Sequence, residues 1–397
     1  MTHFPYLIIG GGMAADSAVR AIREIDGTRE IGILTAEQDP PYDRPSLSKG
    51  LWKKKKLEQV WRGTEQRGAT LLFNHTAVRL DPANKTVTDA QGDEYSFDKL
   101  LIAPGGTPRR LPFGGDNVIY YRSMEDYRQV KALSDAGKRF VVIGGGFIGS
   151  EMAAALNMHN NEVTMVFPEI GINARQFPED LSRFLNDFYT QKGVHVLAGP
   201  EVVDVTARGD QKVVTLRKPG SQETSTLEAD AVIAGLGILP NVSLAQEAGL
   251  EVGNGILVDR GLRTRHPDIY AAGDVANFFN PSLGRRMRVE HEDAALTMGT
   301  IAGRNMAGQD EAYETLPYFF SDLFELGYEA VGQLNPNAVV VSDWVEPFLK
   351  GAVYYLADGR VRGVVLWNIW QRVPVARELI ARSGPISAED LKGYIRG

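Results

Sequence analysis

The apolar residues of this chain occur in short runs that end at glycine-rich turns and are followed by helix-like segments. The run YLIIG precedes a Gly-x-Gly-x-x-Ala turn at residues 10–15. The run RFVVIG precedes a Gly-x-Gly-x-x-Gly turn at residues 144–149, and a helical pattern continues to Met158. Short apolar runs bounded by glycine favour buried strands, and their alternation with helices is typical of a parallel α/β sheet.

The same pattern continues along the rest of the chain. Further strands are predicted within residues 99–106, 139–143, 162–167, 230–235, 255–259 and 269–274. Helices are predicted over residues 150–158 and from Ala294. Beyond about residue 313 the pattern changes to alternating strands and a final helical tail, with strands at 338–341, 351–355 and 361–366.

These elements predict an α/β fold with two Rossmann-like dinucleotide-binding domains and a C-terminal α+β domain. Because the pattern of the first domain returns near residue 242, we expect the second domain to be inserted in the first. The predicted boundaries are 1–112 and 242–312 for the first domain, 113–241 for the second and 313–397 for the C-terminal domain.

The two turns indicate the binding of two dinucleotides. Small residues let the backbone approach a pyrophosphate, and the following helix N-terminus offers free N–H groups and the positive end of its dipole. One such turn is a weak signal, whereas two in strand–turn–helix context within one chain are a specific one. A chain that binds two dinucleotides is expected to pass electrons between them.

Each turn requires a carboxylate near the end of the next strand, where it accepts hydrogen bonds from a ribose. In the first domain Glu37 fits this role, with Asp39 as a competitor and a surface-turn carboxylate as the plainer alternative. In the second domain Glu169 fits, and no arginine lies within the next three residues to receive a 2′-phosphate. This pattern predicts NADH rather than NADPH.

Composition and charge exclude several other functions. The net charge of −7 gives no electrostatic support to nucleic-acid binding. No apolar run approaches the ~20 residues of a membrane span. The N-terminus leads directly into the first strand without a signal-peptide pattern, so we expect a cytoplasmic location. The chain has no cysteine, which excludes disulfide relays, and its six scattered histidines make a metal site unexpected.

Three further segments have both a functional and a structural interpretation. In PYDRPSLSK, two prolines present Arg44 and Lys49 in fixed directions, or the segment is a solvent-exposed turn. Gly273 and Asp274 either place a carboxylate and backbone amides near a cofactor or use glycine simply to turn the chain. Residues 290–293, EHED, are either an acid–base cluster or the acidic first turn of a helix.

Taken together, the motifs resemble those of one family. The chain is similar to apoptosis-inducing factor and its prokaryotic relatives, within the ferredoxin-reductase-like branch of FAD/NAD flavoproteins. The similarity is carried by the segments RPSLSK (44–49), GGGFIGSE (144–151), RVEHEDAA (288–295), SDLFELGYEAVG (321–332) and VVLWNIWQRVPVAREL (364–379). The similarity covers nearly the whole chain. The LWNI sequence and the Phe-Pro-Glu of residues 167–169 favour apoptosis-inducing factor over the dioxygenase-linked reductases.

The resemblance implies FAD and NADH as cofactors and assigns binding residues to each. Those implied for FAD are Gly10, Gly12, Ala15, Glu37, Arg44, Ala77, Ala103, Gly105, Arg122, Gly273, Asp274 and Phe320. Those implied for NADH are Gly144, Gly146, Ile148, Glu169, Gly237 and Glu290, with Arg175, Glu329 and Asn368 as further candidates.

Four residues are implied in the chemistry itself. By the resemblance, Lys49 lies at the N5 edge of the flavin and pairs with Glu151. Phe147 covers the face on which the nicotinamide stacks, and His291 contacts the region between the two rings. A lysine beside N5 stabilises the negative charge that reduction adds, and a paired glutamate keeps that cation oriented. Hydride transfer then needs no protein nucleophile.

Two departures from the family pattern affect the cofactor site. Phe320 stands where relatives carry tryptophan, and Pro104 replaces the threonine of an Ala-Thr-Gly turn. Elsewhere, Arg285, Arg286 and Arg288 form a basic cluster. This cluster is a docking site for an acidic electron-transfer protein, part of a dimer interface, or a solvated loop.

Two functional hypotheses follow. The first is an NADH-dependent FAD oxidoreductase that passes electrons to an external acceptor, such as a ferredoxin, a rubredoxin, a quinone, a small molecule or oxygen. The second is a redox-gated binding or scaffold protein, in which slow reduction by NADH changes dimerisation and partner binding. Every part needed for hydride transfer is present in the sequence, which favours the enzyme.

Overall fold

The computed structural model describes residues 1–395. Within them the helices are α1 (Met13–Ile25), α2 (Met124–Asp135), α3 (Phe147–Met158), α4 (Glu179–Gln191), α5 (Ser243–Glu247), α6 (Glu292–Met306), α7 (Val373–Ala381) and α8 (Ala388–Leu391). The strands are β1 (Thr2–Ile9), β2 (Ile31–Thr35), β3 (Ala69–Phe73), β4 (Ala77–Asp81), β5 (Thr86–Asp89), β6 (Glu94–Ile102), β7 (Gly106–Pro108), β8 (Ile119–Tyr120), β9 (Phe140–Ile143), β10 (Val163–Phe167), β11 (His195–Ala198), β12 (Glu201–Arg208), β13 (Gln211–Arg217), β14 (Thr224–Ala229), β15 (Ala231–Ala234), β16 (Ile238–Pro240), β17 (Val252–Gly253), β18 (Gly255–Leu257), β19 (Ile269–Ala271), β20 (Ala276–Asn280), β21 (Arg285–Met287), β22 (Tyr318–Leu323), β23 (Leu326–Gly332), β24 (Val339–Glu346), β25 (Lys350–Ala357) and β26 (Arg360–Trp367). Among the helices of residues 1–395, none has the length and apolar character needed to cross a bilayer.

The chain folds into two compact units. Unit 1 comprises Met1–Ser46, Lys55–Thr107 and Leu239–Tyr318. Unit 2 comprises Leu47–Lys54, Pro108–Ile238 and the chain from Phe319 onward. The short segment Leu47–Lys54 therefore folds with unit 2, although its chain neighbours on both sides belong to unit 1.

Unit 1 is built on a seven-stranded sheet. Strands β3, β2, β1 and β6 run parallel in this order, and β19 pairs in parallel with β6. Strands β5 and β4 extend the sheet in antiparallel fashion. One hydrophobic core joins β1, β6 and β19 to the buried faces of α1 and α6. The two helices approach closely because a Cβ at Gly299 or Gly303 of α6 would overlap the backbone of α1.

Unit 2 contains a second parallel sheet, in the order β11-β10-β9-β15-β8. A three-stranded antiparallel sheet, β12-β13-β14, is inserted before β15. The C-terminal part is a five-stranded sheet in the order β22-β23-β26-β25-β24, and α7 packs on β23 and β26. The α/β class with two Rossmann-like turns and a further C-terminal α+β part is thus confirmed.

The predicted strands at 139–143, 162–167 and 230–235 correspond to β9, β10 and β15 within one residue at each end. The strand predicted at 338–341 instead continues to Glu346. It does so because β24 stays paired with β25 as far as Glu346 and Lys350, and Asp343 within it is buried and accepts the backbone N–H of Gly393 at 2.9 Å. A satisfied buried carboxylate is compatible with a strand interior.

Candidate active site

The first glycine-rich turn joins β1 to α1 in unit 1. Gly10 has a φ of +105°, and a Cβ there would overlap the carbonyl oxygen of Ala103, so only glycine fits. Gly12 is the N-cap of α1 and brings no side-chain cap, while Ala15 is fully buried in the helix. The turn therefore combines close backbone access with an uncapped helix N-terminus, which are the two requirements of a pyrophosphate site.

The other unit 1 residues predicted for FAD follow neighbouring parallel strands. Glu37 follows β2, Ala103 and Gly105 follow β6, and Gly273 and Asp274 follow β19. Because the carboxyl ends of parallel strands share one edge of a sheet, these residues lie along the same edge as the first turn. Ala77 opens β4, just after a turn whose backbone bonds to Thr35 and Glu37.

Two donors hold Glu37 at this edge. The Tyr42 hydroxyl donates to Oε2 and Arg44 Nη2 donates to Oε1, both at 2.7 Å. The Arg44 guanidinium lies over the Tyr42 ring, 4.8 Å from its centroid. Burial acts to lower the pKa of Arg44. The interactions with Tyr42, Glu37 and Asp274 outweigh this effect and raise the pKa above its usual range. Arg44 is thus an oriented, largely buried cation, and the interpretation of its segment as a solvent-exposed turn is wrong.

Residues 290–293 lie at the start of α6. His291 is the N-cap, and its Nδ1 accepts the backbone N–H of Asp293 at 3.4 Å. This geometry supports the interpretation as an acidic, capped first turn. Glu290 forms an ion pair with Arg288 at 2.6 Å, and Arg288 Nη1 donates to the carbonyl of Asp274 at 3.0 Å. Arg288 therefore connects the start of α6 to the loop that carries the predicted cofactor carboxylate.

The basic cluster of residues 285–288 is largely used within unit 1. Arg286 Nη1 donates to the carbonyls of Val258 at 3.0 Å and Asn277 at 2.9 Å. Arg288 makes the bonds described above, and its side chain is almost fully buried. These contacts give Arg286 and Arg288 partners within unit 1, while the side chains of Arg285 and Arg286 remain exposed.

The second glycine-rich turn joins β9 to α3 in unit 2. Gly144 has a φ of +110°, and a Cβ at Gly149 would overlap the carbonyl oxygen of Gly144. Gly146 is an N-cap without a side-chain cap, and Ile148 in the first turn of the helix is exposed. Gly237, with a φ of +81°, follows the adjacent parallel strand β15. This geometry also suits a dinucleotide, because its phosphates can approach the backbone closely and face an uncapped helix N-terminus.

Glu169 follows β10 and forms an ion pair with Arg175. Their Nη2 and Oε1 atoms lie 2.6 Å apart, and the Arg175 side chain is 76% exposed. Arg175 lies six residues after Glu169, beyond the three residues on which the prediction of NADH over NADPH is based. The Glu169 carboxylate can accept hydrogen bonds from ribose hydroxyls, while the exposed Arg175 guanidinium beside it also tolerates a negatively charged group.

Lys49 and Glu151 form an ion pair in unit 2, with Nζ and Oε1 2.6 Å apart. The Glu151 side chain is 3% exposed and that of Lys49 is 15% exposed. The segment bearing Lys49 is anchored by the carbonyl of Leu47, which accepts the Trp52 indole N–H at 2.6 Å and the Tyr121 hydroxyl at 2.5 Å. A buried cation on an anchored segment keeps a defined position.

Aromatic side chains surround this pair. Lys49 Nζ lies 5.4 Å from the centroid of the Phe320 ring. Phe147, in the first turn of α3, packs edge-on against Phe319 with 5.7 Å between centroids. The two adjacent phenylalanines of β22 therefore contact two of the four residues that the resemblance implies in the chemistry. Lys49 gains a cation–π contact, and Phe147 gains a fixed ring orientation.

Three other predicted residues have roles in the fold. The Asn368 side chain accepts the N–H of Gly327 at 2.8 Å and donates to the carbonyl of Leu349 at 2.9 Å. The backbone N–H of Arg122 donates to Asp126 at the start of α2. Glu329 lies within β23, paired with β26. The Asn368 amide therefore links β23 to the loop that joins β24 and β25.

Several residues of the site were not found from the sequence. They are Tyr42 beside Glu37, Phe319 beside Phe147, and Ser48 and Ser321, whose hydroxyls both donate to Glu151. Ser48 precedes Lys49, so its place in the RPSLSK motif was a usable signal. Ser321 and Phe319 are far from their partners in the chain, and no local pattern indicates them.

One group of metal-ligand type residues also comes together, in unit 1. Ligand atoms of His75, Asp89 and Asp93 lie within 4.8 Å of one another. The Asp89 carboxylate is already occupied, since it accepts the Tyr95 hydroxyl at 3.0 Å, the His75 ring and two backbone N–H groups. These bonds explain the group as a hydrogen-bonded support of the β4–β5 hairpin.

Two glycine-rich dinucleotide turns and a chain without thiols define an FAD- and NADH-dependent oxidoreductase that does not use a dithiol relay. The chain belongs to the pyridine nucleotide-disulphide oxidoreductase family, whose model matches residues 4–299. A second model, the C-terminal domain of mitochondrion-associated apoptosis-inducing factor, matches residues 335–382. The resemblance seen in the sequence is thereby confirmed.

Individual relatives are similar along almost the full chain. Apoptosis-inducing factor 1 of Dictyostelium discoideum is 35% identical over 98% of this chain and 80% of its own length. The ferredoxin–NAD(+) reductase component of the anthranilate 1,2-dioxygenase system of Burkholderia cepacia is 34% identical over 96% of this chain and 95% of its own. In the covalent putidaredoxin reductase–putidaredoxin complex, a chain 27% identical to this one superimposes with a TM-score of 0.89, over 98% of this chain and 95% of that one.

Proposed function

We propose that the protein is an NADH-dependent reductase that passes electrons from FAD to an external acceptor, with a ferredoxin-type iron–sulfur protein as the first candidate. The buried Lys49–Glu151 pair carries this proposal, because it places a fixed cation and its counterion in a chain with two dinucleotide turns. The Burkholderia relative, a ferredoxin–NAD(+) reductase component, supports the choice of acceptor. In this assignment residues 1–112 and 242–312 bind FAD, residues 113–241 bind NADH and residues 313–397 form the C-terminal domain.

Bound FAD supplies the acceptor for the hydride that NADH carries. With FAD bound, the Lys49 ammonium would stabilise the negative charge that reduction adds to the flavin. Glu151 holds that ammonium in place, and Phe147 provides an apolar surface for the nicotinamide. Glu37 and Glu169 accept hydrogen bonds from the two riboses. None of these residues acts as a nucleophile, and with no cysteine in the chain the electrons leave for a separate acceptor.

The test is an anaerobic titration of the purified protein with NADH, and separately with NADPH, followed by the visible spectrum. We expect NADH to bleach the flavin bands, and we expect Lys49→Ala and Glu151→Ala to slow that bleaching in stopped flow. Unchanged kinetics in both variants would overturn the role of the pair. Reoxidation of the reduced protein is then measured with a plant-type ferredoxin, a rubredoxin and a quinone. Rapid turnover with the quinone alone would reject the iron–sulfur acceptor.

A second candidate is a redox-gated binding protein that dimerises after reduction. It is favoured by the match of residues 335–382 to the C-terminal domain of apoptosis-inducing factor. In that case NADH should produce a long-wavelength charge-transfer band that persists, and the elution volume in gel filtration should fall. An unchanged elution volume with rapid turnover on an acceptor would reject this candidate in favour of the reductase.

A further inference from the structure

The carboxylate of Glu151 receives three donors rather than one. Lys49 Nζ and the Ser321 hydroxyl both reach Oε1 at 2.6 Å, and the Ser48 hydroxyl reaches Oε2 at 2.5 Å. Each contact lies within unit 2. Both serine side chains are buried, so neither hydroxyl is positioned there by contact with solvent. A carboxylate with donors on both oxygens has its plane as well as its position fixed.

The donors come from distant parts of the chain. Ser48 and Lys49 are neighbours on the anchored segment Leu47–Lys54, Glu151 lies in the first turns of α3, and Ser321 lies in β22. Ser321 and Glu151 are 170 residues apart in sequence. Two elements that are distant in sequence therefore supply donors to one carboxylate on a third, which is more than the neutralisation of a single lysine requires.

The surroundings leave little water to replace a lost donor. Burial raises the pKa values of Tyr189 and Tyr328 well above their usual range, and the nearby charge of Glu151 raises them further. The Phe320 ring lies beside the Lys49 ammonium. In such an apolar setting a missing hydrogen bond to a charged group costs more than at a solvated surface.

We propose that Ser48 and Ser321 are positioning residues for the reaction: they hold Glu151 in the orientation in which it fixes the Lys49 ammonium. This inference rests on the proposed function, since it assumes that the Lys49–Glu151 pair assists flavin reduction. The two serines are not equivalent. Loss of Ser321 leaves Oε1 bonded to Lys49, whereas loss of Ser48 removes the donor seen at Oε2. Ser48 therefore has the larger effect.

The test is a set of mutant cycles on the holoenzyme, using Ser48→Ala, Ser321→Ala, Glu151→Gln and both serine changes in the Glu151→Gln background. Stopped-flow reduction by NADH gives the limiting rate and the dissociation constant for NADH, and spectroelectrochemistry gives the flavin midpoint potential. Ser182→Ala is the control. Ser182 is also a fully buried unit 2 serine, but no partner for its hydroxyl is found among residues 1–395.

We expect Ser48→Ala to lower the limiting rate about tenfold and Ser321→Ala about threefold, as for the loss of one hydrogen bond to a charged group. The dissociation constant for NADH should stay unchanged, because neither serine contacts the nucleotide in this proposal. Both single changes should shift the midpoint potential. In the Glu151→Gln background neither serine change should alter rate or potential further, since the serines act through that carboxylate.

The outcomes separate the two proposals. A normal rate in Glu151→Gln itself would overturn both the role of the pair and this inference. A slow Glu151→Gln variant with serine effects that add in full would overturn the inference alone, because additivity indicates independent action. Ser48→Cys distinguishes packing from hydrogen bonding, since the thiol fills the space of the hydroxyl but donates only weakly. A Ser48→Cys variant as fast as the native chain would also overturn the inference.

Discussion

The two glycine-rich turns have the same backbone but differ in what surrounds their helices. Gly10 and Gly144 have φ values of +105° and +110°, and the N-caps Gly12 and Gly146 both have a ψ of −167°. The third small position differs, being Ala15 in unit 1 and Gly149 in unit 2. The shared part matches what a pyrophosphate requires, and the differences indicate what each unit does with the bound dinucleotide.

Buried carboxylates near the start of each helix show the contrast most clearly. In α1 the fully buried Asp16 accepts Arg20 at 2.8 Å, Arg62 at 2.7 Å and the Thr64 hydroxyl at 2.7 Å. In α3 Glu151 instead accepts one lysine and two serines. Asp16 connects α1 to the loop before β3, which is a structural role. Glu151 holds a single ammonium group, which is a role suited to chemistry.

The largest expected effect concerns the third small position. Gly149→Ala should abolish detectable NADH binding, a loss of at least about 100-fold, because the new Cβ would overlap the carbonyl oxygen of Gly144 and displace α3. The reciprocal change Ala15→Gly should cost only about 1 kcal/mol of stability and retain bound FAD. Anaerobic NADH titration and the flavin content of the purified proteins check both. Normal NADH affinity in Gly149→Ala would contradict the close fit at this turn.

The two carboxylates should respond differently to neutralisation. Asp16→Asn should lower the free energy of unfolding by about 3 kcal/mol, because the fully buried carboxylate loses its charge and with it the ion pairs to Arg20, Arg62 and Arg67. Flavin reduction by NADH in that variant should stay within about twofold of the native rate, since the pair at Glu151 is intact. Glu151→Gln should instead slow flavin reduction and lower the free energy of unfolding less than Asp16→Asn does. Urea unfolding and stopped flow measure the two quantities, and equal behaviour of both variants would remove the contrast.

Acid should affect unit 1 through a carboxylate at the start of β19. Burial opposes ionisation of Asp268, but Lys85 and Lys99 outweigh it and lower its pKa to about 2. Since the folded pKa lies below the unfolded value of about 3.9, Asp268 stabilises the fold above pH 4. That contribution, about 1 kcal/mol after solvent screening, is lost as the pH falls toward 2. Asp268→Asn should therefore be less stable than the native chain in urea at pH 7, and a difference of the same size at pH 2.5 would refute this assignment.

The smallest effect is expected at the exposed ion pair of unit 2. Arg175→Ala should change the dissociation constant for NADH by less than about threefold, because exposed ion pairs contribute little. Glu169→Gln should weaken NADH binding more strongly, since it replaces the charged acceptor of the ribose hydroxyls with a weaker amide oxygen. Titrations with NADH and NADPH measure both variants. If Arg175→Ala selectively weakens NADPH, the guanidinium contributes to binding of the 2′-phosphate.

The local parts of this molecule could be predicted from the sequence, and the long-range parts could not. Strand, turn and helix around residues 10–15 and 144–149 follow from apolar runs and glycine spacing, which act within a few residues. The buried carboxylate of Asp343 in β24 accepts a backbone N–H fifty residues away, and one donor to Glu151 comes from Ser321, 170 residues away. Lys49 and Glu151 were paired from family resemblance, since nothing in the spacing of either segment requires their contact.

The assignment of Leu47–Lys54 to unit 2 divides the motif RPSLSK between Ser46 and Leu47. Arg44 is therefore part of one folding unit and Lys49 of the other. For a protein engineer this sets the rule for recombination between relatives. A chimera that exchanges the nicotinamide-binding and C-terminal parts has to bring Leu47–Lys54 with them, because those few residues are matched to α3 and β22 rather than to their neighbours in the chain. Crossovers at residues 108, 238 and 319 alone would combine the lysine of one parent with the α3 carboxylate and the β22 serine of another.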